Sequence, residues 1–200
     1  MASTKEVGRR DRKKNDTRDR LINEAARLFG SKGFDETTTT EIAEAADVAQ
    51  RTLFRHFPTK EAVLFGDMVD LRFELRAALA ARPPSETVIE AVRQAMLALA
   101  DDHQRHADRR RLQFALAAAV PSISAYSRAV VQASWEREII NAVAERLDVD
   151  PIDDPRPEIL AGAAMSALRV ATRQWTASAA KGDFVALADR ALRSITTLTR

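Results

Sequence analysis

The chain of 200 residues carries 31 Lys and Arg against 29 Asp and Glu, and its 46% hydrophobic and 30% charged residues are typical of a globular protein. It contains no cysteine, which excludes disulfide frameworks, thiolate metal sites and cysteine nucleophiles. Because the first twenty residues lack the apolar core of a secretory signal and no uncharged stretch is as long as a membrane span, we expect a cytoplasmic protein that enters no membrane.

Helix-forming residues dominate the composition, and Gly (6) and Pro (7) are few, so we predict an all-α fold of about nine helices. The excess of positive charge lies at the N-terminal end, because residues 1–65 contain 13 basic and 11 acidic side chains whereas residues 66–200 contain 18 of each. Residues 1–14 show no apolar periodicity. We predict that they form a basic flexible tail, which either follows a polyanion or is a solvated leader without a function.

The first helix is predicted to begin at Asp16 or Thr17, either of which can cap it. It ends at Gly33, where glycine can take the left-handed conformation and Phe34 can fold back onto the helix. Its apolar face consists of Leu21, Ile22, Ala25, Leu28 and Phe29.

Two short helices and a longer one are predicted next. Thr38 and Glu41 have the spacing of a capping box, which indicates the start of the second helix. A tight turn leads into the third helix, at about residues 50–56. Thr59 is predicted to cap a fourth helix that runs to about residue 81. Proline and glycine clusters divide the remaining chain into five longer helices, with expected ranges 85–104, 105–120, 122–147, 157–180 and 183–199.

The second and third helices, residues 38–57, have the lengths and the short turn of a helix-turn-helix. In that motif inward residues hold the second helix so that its other face can enter the major groove of DNA. Leu53 and Phe57 are four residues apart and are predicted to face inward together with Phe54. An ordinary helical hairpin would show the same pattern, and the pattern alone does not separate the two. The outward side chains are rich in donors to bases and phosphates: Gln50, Arg51, Thr52, Arg55 and His56.

Residues 17–63 closely resemble the DNA-binding domain of TetR-family transcriptional regulators. The resemblance implies a three-helix helix-turn-helix domain over residues 15–63, followed over residues 64–200 by a helical bundle that binds an effector and dimerises. It rests on four segments in the order of the family: Ala25–Phe29, Lys32–Phe34, Thr38–Ala43 and Thr52–Ala62.

The resemblance also implies which residues contact DNA: Thr39, Gln50, Arg51, Thr52, Phe54, Arg55, His56 and Lys60. Phe54 departs from the tyrosine that is usual in the family and lacks its hydroxyl contact to phosphate. Arg51 replaces a frequent glycine and adds a side chain that can bind guanine with two hydrogen bonds. Asp47 and Ala49 replace a glycine and a serine, and we expect the loss of the serine cap to cost the third helix about 1 kcal/mol.

The last two helices carry apolar stripes at helical spacing, which form either an intrachain core or a dimer interface. In TetR-family proteins these helices usually form a four-helix bundle with the partner subunit, so the resemblance implies a homodimer that reads a palindromic operator. The predicted interface residues are Leu160, Ala164, Leu168, Ala171, Trp175, Phe184, Leu187, Ala191 and Ile195.

The resemblance further implies a pocket for a small-molecule effector in the second part of the chain. Candidate lining residues, each of which is also compatible with plain core, are Met68, Leu71, Met96, Leu99, Phe114, Tyr126 and Trp135. Five arginines are candidates for binding an anion such as an acyl-coenzyme A, or are simply solvated: Arg72, Arg76, Arg109, Arg110 and Arg111. The histidines and carboxylates of residues 101–106 resemble a metal site but lack a fourth ligand, so we interpret them as a polar helix end and predict no metal and no cofactor.

These observations favour a homodimeric, ligand-responsive regulator of transcription. We expect a repressor that binds a palindromic double-stranded operator and is released by a small hydrophobic or acyl-type effector, and that is associated with the nucleoid when bound to DNA. The alternative is a helical small-molecule carrier or enzyme without specific DNA binding. Against an enzyme, the chain has no nucleotide-binding, zinc-protease or nucleophile-elbow motif and contains only three histidines, so we predict no catalytic residue.

Overall fold

The computed structural model describes the backbone of residues 3–178 and 182–197, and within these ranges the side chains from residue 15 onwards. The described residues form helices joined by turns and loops, with no strand, which confirms the predicted all-α class. The chain divides into two compact units, Met1–Asp67 and Met68–Arg200.

The first unit contains a long first helix followed by three short ones. The first helix begins at Ser3 and not at the predicted caps Asp16 or Thr17, so both residues lie inside it. Residues 3–14, which were predicted to form a flexible tail, thus have a helical backbone. Their side chains lie outside the described part of the chain, so their contact with a polyanion stays a prediction. The helices are α1 (Ser3–Lys32), α2 (Thr39–Ala45), α3 (Gln50–His56) and α4 (Lys60–Leu64), and α5 (Gly66–Ala80) begins at the end of this unit.

The connection between α1 and α2 follows the local signals in the sequence. Gly33 has a φ of 93°, and its amide donates to the carbonyl of Phe29 at 3.1 Å. The ring of Phe34 folds back onto that of Phe29, with 5.0 Å between the centroids. The Thr38 hydroxyl accepts the Glu41 amide at 3.2 Å, and the Glu41 carboxylate accepts the Thr38 amide at 2.8 Å. The glycine turn and the capping box are therefore confirmed.

The turn before α3 and the end of α4 are also set locally. Asp47 adopts a φ of 53°, the left-handed conformation that an aspartate tolerates, and Ala49 caps α3 without a side-chain hydrogen bond, as expected. The predicted continuous fourth helix is wrong, because α4 ends at Leu64 and α5 begins at Gly66. A Cβ atom on Gly66 would lie 2.6 Å from the ring of Phe57, so only glycine allows the start of α5 to approach that ring.

The second unit is built from longer helices. The π-helical segment joins α8 and α9 into one continuous helical run, so the described residues contain ten helical runs where about nine were predicted. Helix α6 begins at Val88 and not at the predicted residue 85, and Thr87 precedes it and accepts the Glu90 amide at 3.4 Å. Besides α5, its elements are α6 (Val88–Arg105), α7 (Ala107–Ala119), α8 (Pro121–Tyr126), a π-helical segment (Ser127–Gln132), α9 (Ala133–Leu147), α10 (Arg156–Ala177) and α11 (Phe184–Thr197).

The core of the second unit lies among α6, α9, α10 and α11. Trp135, Trp175 and Phe184 are among its largest fully buried side chains. A buried ion pair joins the two helices on either side of residue 106, because Arg110, only 1% exposed, donates to the Asp102 carboxylate at 2.8 Å. A buried charge is tolerated when it is paired and hydrogen-bonded, so this pair fixes α7 against the end of α6.

No helix in the described ranges is long and apolar enough to span a membrane by itself. Two neighbouring helices, Ala107–Ala119 and Pro121–Leu147, meet the requirement for length and hydropathy only when they are taken together, and a bend of 110° separates them. Both contribute buried side chains to the second unit, among them Gln113 and Ile139.

Candidate DNA-binding surface and ligand cavity

The outward face of α3 is the candidate DNA-binding surface. Gln50, Arg51, Phe54 and Arg55 are exposed, and they share one face because residues four apart are neighbours on a helix. Leu53 is fully buried on the other side and holds the helix in the unit. The expectation that Phe54 packs inward is wrong, because 47% of this residue is exposed. The exposed face therefore combines an amide, two guanidinium groups and an aromatic ring.

Two residues predicted to contact DNA, Thr39 and Gln50, lie next to each other at the starts of α2 and α3. The side-chain amide of Gln50 donates to the hydroxyl of Thr39 with 3.1 Å between Nε2 and Oγ1. This bond orients both side chains in the protein without DNA. Thr52 and His56 are half-buried and lie at the edges of the exposed face. The α3 surface, defined here as Thr39, Gln50, Arg51, Thr52, Phe54, Arg55 and His56, is thus a connected patch.

Lys60 lies at the start of the fourth helix, as predicted, and its ammonium group is bound by the protein itself. Its ammonium group donates to the carbonyls of Phe34 at 2.8 Å, Thr37 at 3.0 Å and Asp35 at 3.4 Å, and it lies 4.5 Å from the centroid of the Phe34 ring. An ammonium group has three donors, so the loop between α1 and α2 uses all of them. The structure thus gives Lys60 a structural role, in which it holds the loop that leads into α2, while its predicted contact with DNA stays a prediction.

Arg18 is a positioning residue that the sequence did not reveal. Its guanidinium group lies 4.3 Å from the centroid of the Phe57 ring and donates to the carbonyls of His56 at 3.5 Å and Gly66 at 3.2 Å. It thereby connects α1 with the end of α3 and the start of α5. In the sequence Arg18 is one of several cations near the N-terminus, and only its place one turn before the buried Leu21 distinguishes it.

The capping box of α2 carries a perturbed carboxylate. Lys32 hydrogen-bonds to the Glu41 carboxylate, which also accepts from the backbone and the hydroxyl of Thr38 at 2.8 and 2.9 Å. The hydrogen bond from Lys32 is the largest cause, followed by those from Thr38, and together they lower the pKa of Glu41 to about 2. The start of α2 is therefore held by an ionised carboxylate at any pH above that value.

Comparison with known proteins identifies these features. The family described as "Bacterial regulatory proteins, tetR family" matches residues 21–66, and the family described as "MftR C-terminal domain" matches residues 86–199, more than half of the chain. The chain is 34% identical over 173 residues to the HTH-type transcriptional regulator TcmR of Streptomyces glaucescens, with 84% of this chain and 76% of that protein covered.

The chain belongs to the TetR family of bacterial transcriptional regulators. It is 30% identical over 146 residues to the regulator MftR of Mycobacterium tuberculosis, covering 73% of this chain and 72% of that protein. It also resembles the crystal structure of FadR of Thermus thermophilus, a TetR-family repressor in complex with lauroyl-CoA, with a TM-score of 0.54, 28% identity, and 88% and 91% of the two chains covered. Like the other members of the TetR family, it is a DNA-binding regulator and not an enzyme.

The second unit of this TetR-family protein contains a cavity of about 420 Å³, which we call the α10 cavity. Three of the seven predicted pocket residues, Met68, Phe114 and Trp135, line it. Leu71, Met96 and Leu99 are buried in the core and do not line it, and Tyr126 is half-buried and also outside it. Its other lining residues are His103, Ala117, Ala118, Ser124, Ser127, Arg128, Val131, Gln132, Met165, Leu168, Arg169, Thr172, Arg173 and Thr176.

The arginines of the α10 cavity are not the ones considered in the sequence. Of those, Arg110 is buried against Asp102, Arg111 pairs with Asp108 at 2.8 Å, and Arg72 stacks on Phe73 at 4.4 Å. Arg76 lines a separate cavity, and Arg109 lines neither. The arginines that do line the α10 cavity are Arg128, Arg169 and Arg173. The residues of α10 that line the cavity recur at spacings of three and four, which places them on one face of the helix. This spacing is the one sequence pattern that indicates them: Met165, Leu168, Arg169, Thr172, Arg173 and Thr176.

The residues predicted for the dimer interface are only partly accessible in the single chain. A side chain that is buried within its own chain has no surface left for a partner, and five of the predicted residues are buried in this way: Ala164, Leu168, Ala171, Trp175 and Phe184. The indole nitrogen of Trp175 also donates to the Gly182 carbonyl at 2.9 Å. The remaining predicted residues are half-buried and keep accessible surface: Leu160, Leu187, Ala191 and Ile195.

The cluster at residues 101–106 is used for internal packing. His103 is buried, with Nδ1 3.0 Å from the Leu99 carbonyl oxygen and its ring stacked against those of Phe114 and Phe184 at 5.9 and 5.4 Å. The Asp102 carboxylate lies 3.0 Å from Nδ1 of His106 and also accepts from Arg110. Within the described ranges no group of three or more histidine and carboxylate side chains is arranged to hold a metal ion.

Proposed function

We propose that this TetR-family protein is a homodimeric repressor that binds a palindromic operator through the α3 surface and is released by a small hydrophobic or acyl-type effector. The observation that carries the proposal is the exposure of Gln50, Arg51 and Arg55 on one face of a helix that Leu53 anchors from the other side. An amide and two guanidinium groups are suited to base edges and phosphates of a major groove. Such a protein acts where the chromosome is, in the cytoplasm.

The α3 surface divides into base-reading and backbone-contacting residues in this proposal. Gln50, Arg51 and Thr52 lie in the first turn of α3 and read bases, with Arg51 able to donate two hydrogen bonds to a guanine. Thr39 contacts phosphate from the start of α2. Phe54 and Arg55 lie one turn further along α3 and flank the DNA backbone together with His56.

A second copy of the chain is required because one recognition helix reads too few bases for specific binding. Dimers of helix-turn-helix proteins bind half-sites about one turn of DNA apart, which is why the operator is palindromic. The outward face of α10 supports a revised interface. Ile159 is 66% exposed, and Ala163, Ser166 and Val170 follow it along the same face with half-buried small or branched side chains. Small residues allow two helices to approach closely. The half-buried Leu160, Leu187, Ala191 and Ile195 extend this interface in the proposal.

The effector part of the proposal is supported by the α10 cavity. Its volume of about 420 Å³ lies within the range of small-molecule sites, and Phe114, Trp135 and Leu168 give it an apolar wall. The similar FadR of Thermus thermophilus was crystallised in complex with lauroyl-CoA. An effector that binds the cavity more tightly in the form of the protein with low DNA affinity shifts the equilibrium towards that form and releases the operator.

A DNA-binding titration tests the proposal. Fluorescence anisotropy of the labelled DNA upstream of the gene is measured with the wild-type protein, Arg51→Ala and the control Arg137→Ala, an exposed arginine of α9 in the second unit. We expect saturable binding, with a loss of about 1–3 kcal/mol for Arg51→Ala on the operator and a much smaller loss on random DNA. Absence of binding at low salt by folded protein would refute the proposal. An equal loss on both DNAs would show that Arg51 contacts only phosphate.

A further inference from the structure

The lining of the α10 cavity combines two kinds of side chain. Apolar and aromatic residues, among them Phe114, Val131 and Trp135, contribute to it. Arg128, Arg169 and Arg173 line it as well, together with serine and threonine residues. We propose that the α10 cavity binds an amphiphilic anion, whose apolar body lies against the aromatic wall and whose negative group is held by these three arginines. This inference rests on the proposed effector role of the cavity.

The charged side chains that line the cavity are all basic. Among the residues that the structure describes, neither an aspartate nor a glutamate lines it. None of the three arginines forms an ion pair with a carboxylate in the part of the chain that the structure describes, whereas Arg93 and Arg110 of the same unit are paired with Asp189 and Asp102. Three positive charges around one cavity repel each other, and an anion between them removes that repulsion. The cavity therefore selects for negative charge.

Two separate elements present the three arginines. Arg169 and Arg173 are four residues apart on α10, so they are neighbours on one face of that helix. Arg128 comes from the π-helical segment, where its guanidinium group donates to the Ser124 hydroxyl. Guanidinium groups bind carboxylate and phosphate oxygens in a planar, two-point geometry. Groups on two elements can thus hold an anion from two directions.

The π-helical segment contributes both polar and apolar residues to the lining of the cavity. Ser127 and Arg128 at its start and Val131 and Gln132 at its end all line the cavity, although the segment is only six residues long. π-helical turns are rare and are frequently found at functional sites. Arg128 and Val131 are three residues apart, so both face the cavity from the same side of the helical run. The local irregularity therefore coincides with the position where a ligand would pass from a polar to an apolar environment.

The exposure of the arginines places the negative group at the rim. Arg128, Arg169 and Arg173 are exposed, whereas Trp135 is 2% exposed at the inner wall. A negative group at the rim can be small, such as a carboxylate, or part of a large head that extends into solvent, such as the phosphates of a coenzyme A thioester. Both have the same chemistry at the arginines, and a ligand series separates them.

Tryptophan fluorescence supplies the binding signal. Of the two tryptophans in the chain, Trp135 lines the α10 cavity and Trp175 does not, so Trp175→Phe leaves a single reporter at the site. This protein is titrated with three probes that share a twelve-carbon chain: dodecanoate, lauroyl-CoA and uncharged methyl dodecanoate. We expect at least one of the two anions to bind at least about tenfold more tightly than the ester, since a charge-assisted hydrogen bond contributes on this scale. The anion that binds more tightly identifies the head group.

Substitution of the arginines shows whether they cause this preference. Arg128→Gln and the double variant Arg169→Gln with Arg173→Gln keep polar side chains, and Arg137→Gln is the matched control, an exposed arginine outside the cavity. We expect the cavity variants to lose the preference for the anion over the ester, and the control to keep it. Equal affinity of the three probes, no fluorescence change with any of them, or an unchanged preference in the cavity variants would overturn the proposal.

DNA binding without ligand is measured with the same protein preparations. Binding to the operator by a protein that shows no preference for the anions refutes the anion site and leaves the proposed regulator intact. Binding of an anion by a protein that binds no DNA supports the anion site and refutes the proposed repressor.

Discussion

Replacement of Lys60 by methionine distinguishes a structural role from a contact with DNA. Methionine retains an unbranched apolar side chain of similar length and removes the ammonium group. In the structure that group holds the loop between α1 and α2 through the carbonyls of Phe34, Asp35 and Thr37. The loop leads directly into α2, which carries Thr39 of the α3 surface. A structural role predicts that the substitution lowers the stability of the protein.

The magnitude follows from the contacts. A hydrogen bond to a charged group contributes about 1.5–3 kcal/mol. Solvent partly screens the half-buried ammonium group of Lys60, so we assign about 1 kcal/mol to each of its two short bonds, those to Phe34 and Thr37. The contact with the Phe34 ring adds about 0.5–1 kcal/mol. We therefore expect Lys60→Met to lower the free energy of unfolding by about 2–3 kcal/mol, which is a large fraction of the stability of a small domain.

The assay combines urea unfolding, followed by circular dichroism, with operator binding at several salt concentrations. Arg20→Met serves as the control, because Arg20 is an exposed cation of α1. If Lys60 acts on the loop, its substitution lowers the unfolding midpoint and leaves the salt dependence of DNA binding unchanged. An unchanged midpoint together with a salt slope that is lower by about one would refute this reasoning, because that is the result expected for a lost phosphate contact.

Three further predictions concern the first unit. The folded-state pKa of Glu41, about 2, is below its ordinary value of 4.5, so the stabilising effect of its ionised carboxylate is complete above pH 4.5 and is lost as the pH falls towards 2. Glu41→Gln should therefore remove this part of the acid unfolding curve, whereas the control Glu44→Gln, at an exposed position of the same helix, should not. Arg18→Met should lower the free energy of unfolding by about 1–2 kcal/mol and weaken operator binding, because α3 loses an anchor, and an effect no larger than that of Arg20→Met would contradict this role. Deletion of residues 1–14, which contain six Lys and Arg, should lower DNA affinity and flatten its salt dependence, and an unchanged slope would show that the tail does not contact DNA.

The local features of the first unit were predictable from the sequence. The capping box of Thr38 and Glu41 and the left-handed Gly33 depend on residues within a few positions of each other. The outward face of α3 follows from the spacing of Leu53 and Phe57, except for Phe54, whose apolar character suggested burial but whose position on the helix directs it outward. Short-range geometry thus determines most of the candidate DNA-binding surface.

The roles of Lys60 and Arg18 could not be predicted in the same way. Lys60 binds carbonyls 23 to 26 residues earlier in the chain, and Arg18 binds carbonyls 38 and 48 residues later. Side-chain type shows that these residues are cations but does not show which oxygens surround them. The same limit applies to the arginines of the cavity. The second unit contains many arginines, and side-chain type does not distinguish them; only the folded chain shows that Arg128, Arg169 and Arg173 line the cavity.

By itself, the sequence determined the helical class, the position of the helix-turn-helix and the side chains on its outward face, since these depend on helical periodicity and on caps within one or two turns. Only the tertiary structure decided which apolar stripes are internal. The spacing of Ala164, Leu168 and Trp175 is the same whether the stripe packs on its own chain or on a partner, and in the structure these residues are buried within one chain. Helical periodicity defines a face, but the neighbouring helices determine what covers it.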